Sequence, residues 1–64
     1  MPREFSIYRL ANGACVVKEE QGEPINGFAD VLNAIAHVRK ETKGQKAHVT
    51  VYETDGTVIF TREV

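Results

Sequence analysis

FADVLNAIAHVRKET, residues 28–42, is the stretch that decides the fold of this chain. Its large apolar side chains recur at the spacing of one helical face, and they are Phe28, Val31, Leu32, Ile35 and Val38. Asn26 is a candidate N-cap, and Gly44 is a candidate residue just beyond the C-terminus. The pattern predicts one amphipathic helix with an apolar stripe, and it places His37 on the solvent side.

Both flanks of this helix carry the pattern of a β-hairpin. Before it, residues 3–10 and 15–19 are rich in strand formers and enclose Asn12-Gly13, a strong turn signal. After it, residues 48–53 and the segment from residue 58 enclose Asp55-Gly56. Residues 21–27 contain two glycines and Pro24 and are predicted to form a loop.

These elements predict a single α+β domain over residues 1–64, in which two β-hairpins flank one amphipathic helix. The expected sheet has four strands, is mainly antiparallel and carries the helix on one face. Two registers are open for the first hairpin. In a two-residue turn Tyr8 pairs with Val17, whereas in a three-residue loop with Gly13 as the bulge residue Ile7 pairs with Val17.

The sheet face away from the helix is the first candidate interface. One helix covers only one face, so some apolar strand residues remain on the other face in either register. An apolar patch on an open sheet face usually marks an interaction site. The candidate residues are Tyr8, Val16, Tyr52 and Ile59.

The length of 64 residues limits the core, and domains this small usually need a disulfide, a metal, very good packing or oligomerisation. Cys15 is the only cysteine, which excludes a disulfide within the chain. Its spacing from His37 and His48 is not that of a zinc site. We therefore expect no metal or other cofactor, and stability from packing and self-association, most simply as a homodimer.

Charge and hydropathy narrow the class of protein further. Eight lysines and arginines against nine acidic residues give a formal net charge of −1, without the basic excess of most nucleic-acid binders. No apolar run approaches the length that spans a bilayer, so no membrane partner is expected. The first residues, MPRE, lack the apolar core of a secretion signal, and a cytoplasmic location is expected.

The sequence predicts no enzyme. Cys15 is the only candidate nucleophile, but it lies in a predicted strand with no helix N-terminus or neighbouring cation to lower its pKa. His37 and His48 each lack an orienting partner in the sequence. No phosphate loop, dinucleotide fingerprint or catalytic triad signature is present.

A basic patch supplies the alternative function. It comprises Arg39, Lys40, Lys43 and Lys46. Such cations could contact phosphates while Tyr8, Tyr52 or Phe60 stacks on bases. They could equally complement the negative end of the helix dipole, and Glu41 interrupts the run. The leading hypothesis is therefore a protein-interaction module that contacts its partner through the open sheet face or an unpaired edge strand. Nucleic-acid binding is the alternative.

The chain resembles a family of short bacterial strand-strand-helix-strand-strand proteins catalogued as a domain of unknown function. The resemblance covers residues 13–60 and rests on Gly13, Val17-Lys18, Gly22, Ala29, Ala34, Ala36, Val49-x-Val51 and Asp55-Gly56. Cys15 stands where that family usually has a tryptophan, and the N-terminal strand is more apolar than usual. The resemblance implies a fold and no activity.

Overall fold

The computed structural model describes residues 3–64. The elements in chain order are β1 Arg3–Arg9, β2 Cys15–Glu19, β3 Ile25–Phe28, α1 Val31–Thr42, β4 Ala47–Tyr52 and β5 Val58–Glu63. They form one sheet in the order β3-β2-β1-β4-β5, with α1 on one face. The predicted α+β class and the position of the helix between two hairpins are confirmed.

The sheet has five strands and is mixed, so the prediction of four mainly antiparallel strands is wrong in detail. β1 and β4 run parallel at the centre, and the other three pairs of neighbours are antiparallel. The fifth strand, β3, forms from the end of the segment predicted as a loop. Pro24 directly precedes β3 and Gly27 lies within it, and a short edge strand tolerates both residues.

The helix begins later than predicted, because Phe28 belongs to β3. Asp30, not Asn26, is the N-cap, and its Oδ1 accepts a hydrogen bond from the Asn33 backbone N–H at 2.8 Å. At the other end Lys43 and Gly44 have left-handed backbone, with φ of 53° and 85°, which agrees with the predicted role of Gly44.

Both hairpins turn through the same three-residue loop. In the first, the Leu10 N–H donates to the Ala14 carbonyl at 2.8 Å, and Gly13 has φ of 90°. Ile7 pairs with Val17, so the register with Gly13 as the bulge residue is the one observed.

The second hairpin repeats this geometry. The Glu53 N–H donates to the Thr57 carbonyl at 2.7 Å, and Gly56 also has φ of 90°. Asp55 Oδ1 accepts from the Thr57 N–H at 3.0 Å, as Asn12 Oδ1 does from its counterpart in the first turn. The two turns are thus fixed by the same local chemistry.

The core lies between α1 and one face of the sheet. Its buried residues are Phe5, Ile7, Cys15, Val17, Ala34, Ile35, Val38, Ala47, Val49 and Val51. Leu32, predicted in the helix's apolar stripe, is instead 74% exposed. It lies about 100° around the helix from Val31, past the edge of the buried stripe formed by Ala34, Ile35, Val38 and Thr42.

The helix covers the sheet unevenly. Within residues 3–64 it packs on β1, β2, β3 and β4 and does not reach β5. A helix about 10 Å across cannot cover five strands that span about 19 Å. Every residue of β5 is therefore exposed although the strand is hydrogen-bonded to β4.

Arg3 ties β1 to β2 and to the end of the helix. Its guanidinium donates to both carboxylate oxygens of Glu19, at 2.6 and 2.7 Å, and to the Glu41 carbonyl at 3.1 Å. It also lies over the Phe5 ring, 5.1 Å from the ring centroid. The hydrogen bond from Arg3 holds the pKa of Glu19 below its ordinary value.

This pair predicts a loss of stability in acid. Because the folded-state pKa of Glu19 is lowered, its contribution is complete above the unfolded pKa, about 4.3, and falls as pH drops through the folded value. The effect is small, since both side chains are about one-third exposed and screened by water. Urea unfolding should show a shallower decline in stability below pH 4 for Arg3→Gln than for the unaltered chain. Parallel curves would contradict this.

Candidate interaction surfaces

The sheet face away from α1 carries a pair of stacked tyrosines. Tyr8 and Tyr52 are neighbours across the parallel pair β1 and β4, with ring centroids 5.1 Å apart and planes inclined by 13°. Val16 pairs with Tyr8 and lies on the same face. Three of the four predicted interface residues are therefore brought together.

This open face is polar and acidic around the tyrosines. A shallow depression of about 340 Å³ is lined by Glu4, Ser6, Tyr8, Lys18, Glu20, Thr50 and Tyr52. His48 Nδ1 lies 3.0 Å from Glu4 Oε1, and Glu63 is the cross-strand neighbour of His48. Three carboxylates therefore face one lysine, whose Nζ donates to the Glu20 carbonyl at 3.2 Å. The apolar groups around the tyrosines are Val16 and Val58, the cross-strand neighbours of Tyr8 and Tyr52.

Ile59, the fourth predicted interface residue, lies on the edge strand β5, two strands away from Tyr8. Val51 pairs with Phe60 and Tyr52 with Val58, which leaves Ile59 without a partner on β4. It is the extra residue of a β-bulge. Sequence periodicity cannot reveal this, because one bulge breaks the alternation on which the prediction depended.

The two edges of the sheet differ in how well they are protected. β3 has four residues, follows Pro24, has an irregular register with β2 and contains Gly27 with φ of 100°. Short length, proline and bulges are the usual devices that stop an edge from pairing with another chain. β5 has six residues, and its last four pair with β4 without interruption.

The backbone of β5 offers hydrogen-bonding groups to a further strand. Ala47 and Val64 exchange two hydrogen bonds, at 3.0 and 2.9 Å, so this is a hydrogen-bonded pair of the antiparallel ladder. Such pairs alternate along the ladder, so Arg62 also bonds to β4. The N–H and C=O groups of Thr61 and Glu63 therefore point away from β4, toward the free edge.

The same strand carries uncovered apolar side chains. Val58, Ile59 and Phe60 are 55%, 43% and 37% exposed. The Arg62 guanidinium lies 5.8 Å from the centroid of the Phe60 ring. Exposed apolar groups and free backbone groups thus coincide on one strand.

The basic patch lies near the C-terminal end of the helix. Arg39 and Lys40 are in its last turn, Lys43 caps it, and Lys46 precedes β4. Within residues 3–64 none of these four cations forms an ion pair. The helix lies on one face of the sheet, whereas the stacked tyrosines lie on the other. The arrangement therefore separates the cations from Tyr8 and Tyr52, whereas Phe60, the third ring expected to stack on bases, pairs with Val51 and lies on the helix face.

Cys15 and the two histidines occupy separate environments. Cys15 is fully buried in the core, and burial raises the pKa of its thiol. His37 is half-buried and packs against Phe28, with ring centroids 4.9 Å apart, so its predicted place on the solvent side is wrong. The unexpected strand β3 brings Phe28 to it. Among residues 3–64 no three His, Cys, Asp or Glu side chains converge on a metal-sized site.

Among the residues described, no helix has the length and apolar character needed to cross a membrane.

No protein-family model, curated protein or solved structure matches this chain. The proposed function therefore rests on the fold and on these surfaces.

Proposed function

We propose that this chain is a small protein-interaction module that self-associates by pairing β5 with β5 of a second copy. The observation that carries the proposal is the coincidence on β5 of outward backbone groups, at Thr61 and Glu63, with exposed apolar side chains. A strand of this kind is a template for a further strand, and main-chain hydrogen bonds supply the contact.

The charges favour the edge over the open face as the contact. A two-fold contact through the open face would oppose two surfaces on which Glu4, Glu20 and Glu63 outnumber Lys18. Like-charged surfaces repel, and their carboxylates would lose water without gaining a partner. β5 carries one acidic and one basic residue, Glu63 and Arg62, whose side chains project to opposite faces, so the edge has no net charge.

The expected dimer is weak. Fully burying a valine, isoleucine or phenylalanine contributes about 1.5–3 kcal/mol, and Val58, Ile59 and Phe60 still have only about half of that to gain. Association itself costs about 4–15 kcal/mol. The gain and the cost are of similar size, so the dimer should dissociate readily on dilution and the oligomeric state should depend on concentration.

Light scattering across a concentration series tests the proposal. The unaltered chain should move from the monomer mass toward the dimer mass as concentration rises. Thr61→Pro should remain monomeric, because it removes an N–H that points outward and leaves the hydrogen bonds to β4 intact. Thr61→Lys, which keeps the backbone unchanged, should weaken the dimer as edge lysines do in natural sheets.

A matched control distinguishes the edge from the open face. Tyr8→Lys changes a residue that is 39% exposed at the centre of the open face, and it should leave the dimer mass unchanged. Circular dichroism should show that each variant is folded. A monomer at every concentration, or a dimer lost in Tyr8→Lys and kept in both Thr61 variants, would refute pairing through β5.

Nucleic-acid binding through Arg39, Lys40, Lys43 and Lys46 stays a prediction. The proposal does not extend to it, because the cations and the stacked tyrosines lie on opposite sides of the sheet.

A further inference from the structure

We infer that the two β5 strands pair antiparallel about a two-fold axis that passes between the Thr61 residues of the two copies. This inference rests on the proposed self-association through β5. Two five-stranded sheets would then join into one continuous sheet. Because the axis stands perpendicular to that sheet, both helices would lie on the same face.

Hydrogen bonding limits the registers that are available. In an antiparallel pair, two residues exchange N–H···O=C bonds only when the backbone groups of both point toward the partner strand. On β5 these residues are Thr61 and Glu63, whereas Phe60 and Arg62 use theirs on β4. An axis at Thr61 makes Thr61 opposite Thr61 a complete hydrogen-bonded pair.

Charge excludes the registers further along the strand. An axis at Arg62 would set Arg62 directly opposite Arg62, and an axis at Glu63 would set two carboxylates opposite each other. Like charges directly opposite destabilise a strand pair. An axis at Phe60 would leave no complete hydrogen-bonded pair, because both Thr61 residues would lie opposite Ile59, the bulge residue. With the axis at Thr61 the central pair is complete, and the bulge residue meets only the outer residue Glu63.

The register about Thr61 also matches side chains on both faces of the joined sheet. It places Arg62 opposite Phe60 of the second copy, so each guanidinium can lie over a ring of the other chain as it already lies over its own. Threonine opposite threonine is a favourable cross-strand pair. The exposed Phe60 rings would meet along the joined strands, in the strip that neither helix covers.

Amide hydrogen exchange on the unaltered protein tests the register. In the dilute monomer the Arg62 N–H is bonded to β4 and should exchange slowly, whereas the Thr61 N–H is free and should exchange fast. Raising the concentration should slow exchange at Thr61 by roughly tenfold once about nine-tenths of the chains are paired, because exchange then proceeds from the free tenth. Exchange at Arg62 should change far less.

Engineered thiols locate the axis directly. Thr61→Cys should form a disulfide-linked dimer on mild oxidation, since opposing Cα atoms about 5.5 Å apart suit a disulfide. Glu63→Cys is the matched control, because its two copies would lie on the order of 13 Å apart along the strands. The native Cys15 is buried and need not be replaced.

The possible results separate the register from the proposed function. Linkage through Thr61→Cys with slowed exchange at Thr61 supports the inference. A dimer by light scattering in which Glu63→Cys links more readily than Thr61→Cys overturns the register and leaves pairing through β5 standing. A dimer in which Thr61 exchange is unchanged overturns both the register and pairing through β5. A protein that is monomeric at every concentration overturns both.

Discussion

Ile7→Ala is expected to lower the free energy of unfolding by about 2–5 kcal/mol, a large part of the stability of so small a domain. Ile7 is fully buried on the central strand, between Val17 on β2 and Val51 on β4. At roughly 0.05–0.15 kcal/mol per residue, a chain of 64 residues has about 3–10 kcal/mol of total stability. A cavity at this position can therefore remove most of the free energy of unfolding.

Urea unfolding followed by circular dichroism measures this effect, at one fixed concentration because dimerisation would add stability. Ile25→Ala is the matched control, since Ile25 is 43% exposed on the edge strand β3, and it should cost less than about 1 kcal/mol. Ile7→Val should lower the free energy of unfolding by about 0.5–1.5 kcal/mol, less than Ile7→Ala does. Equal losses for the two alanine variants would show that the core is not centred on β1.

Gly56→Ala is expected to cost about 1–2 kcal/mol although the added methyl group meets no obstacle. Apart from its two chain neighbours, no residue of the described chain lies within 4 Å of the Cβ that alanine would add. The cost is therefore that of holding a non-glycine residue at φ of +90° in the second hairpin turn.

Gly22→Ala is the control for this prediction. Gly22 does not have a positive φ, and its new Cβ would make an ordinary contact, 3.4 Å from the Glu19 Cβ, so its effect should be within about 0.5 kcal/mol. Gly56→Asn should recover part of the loss at Gly56, because asparagine tolerates left-handed backbone better than alanine does. If the two alanine variants unfold at the same urea concentration, the turn geometry described for Gly56 is incorrect.

The parts of the fold that sequence predicted are those set by local chemistry. Asn12-Gly13 and Asp55-Gly56 carry their own turn signals, and both turns form where expected, in one of the loop geometries that were considered. The helix was predicted because its periodicity extends over several turns. Its first turn was placed too early because Phe28 fits the helical spacing as well as it fits a strand.

The missed features depend on contacts that are distant in sequence. β3 is a strand only because β2 lies beside it, and nothing local separates Ile25–Phe28 from a loop. The parallel pairing of β1 with β4 depends on where the helix returns the chain. Leu32 was placed in the core because periodicity does not say how a helix is rotated on its sheet.

The candidate interaction surfaces also combine features that the sequence predicts with features that depend on distant contacts. Tyr8, Val16 and Tyr52 share a face because strands alternate, which sequence can predict. The acidic groups around them come from β1, β5 and the turn after β2, and they become neighbours only in the folded sheet. The free edge of β5 could be recognised only once the strand order was known.

The parallel pair at the centre of the sheet also governs how the chain must fold. β1 contacts β4 through residues 44 positions apart, as in the hydrogen bond between Arg9 and Glu53. The first hairpin can close within microseconds, but this loop must lose much more entropy before its contacts form. During synthesis β1 is therefore made well before its partner β4, and until β4 is made one edge of β1 and its apolar face stay unprotected. For so small a domain we expect all-or-none folding that is completed only after β4 has been made, at a rate between those of helical bundles and all-β barrels.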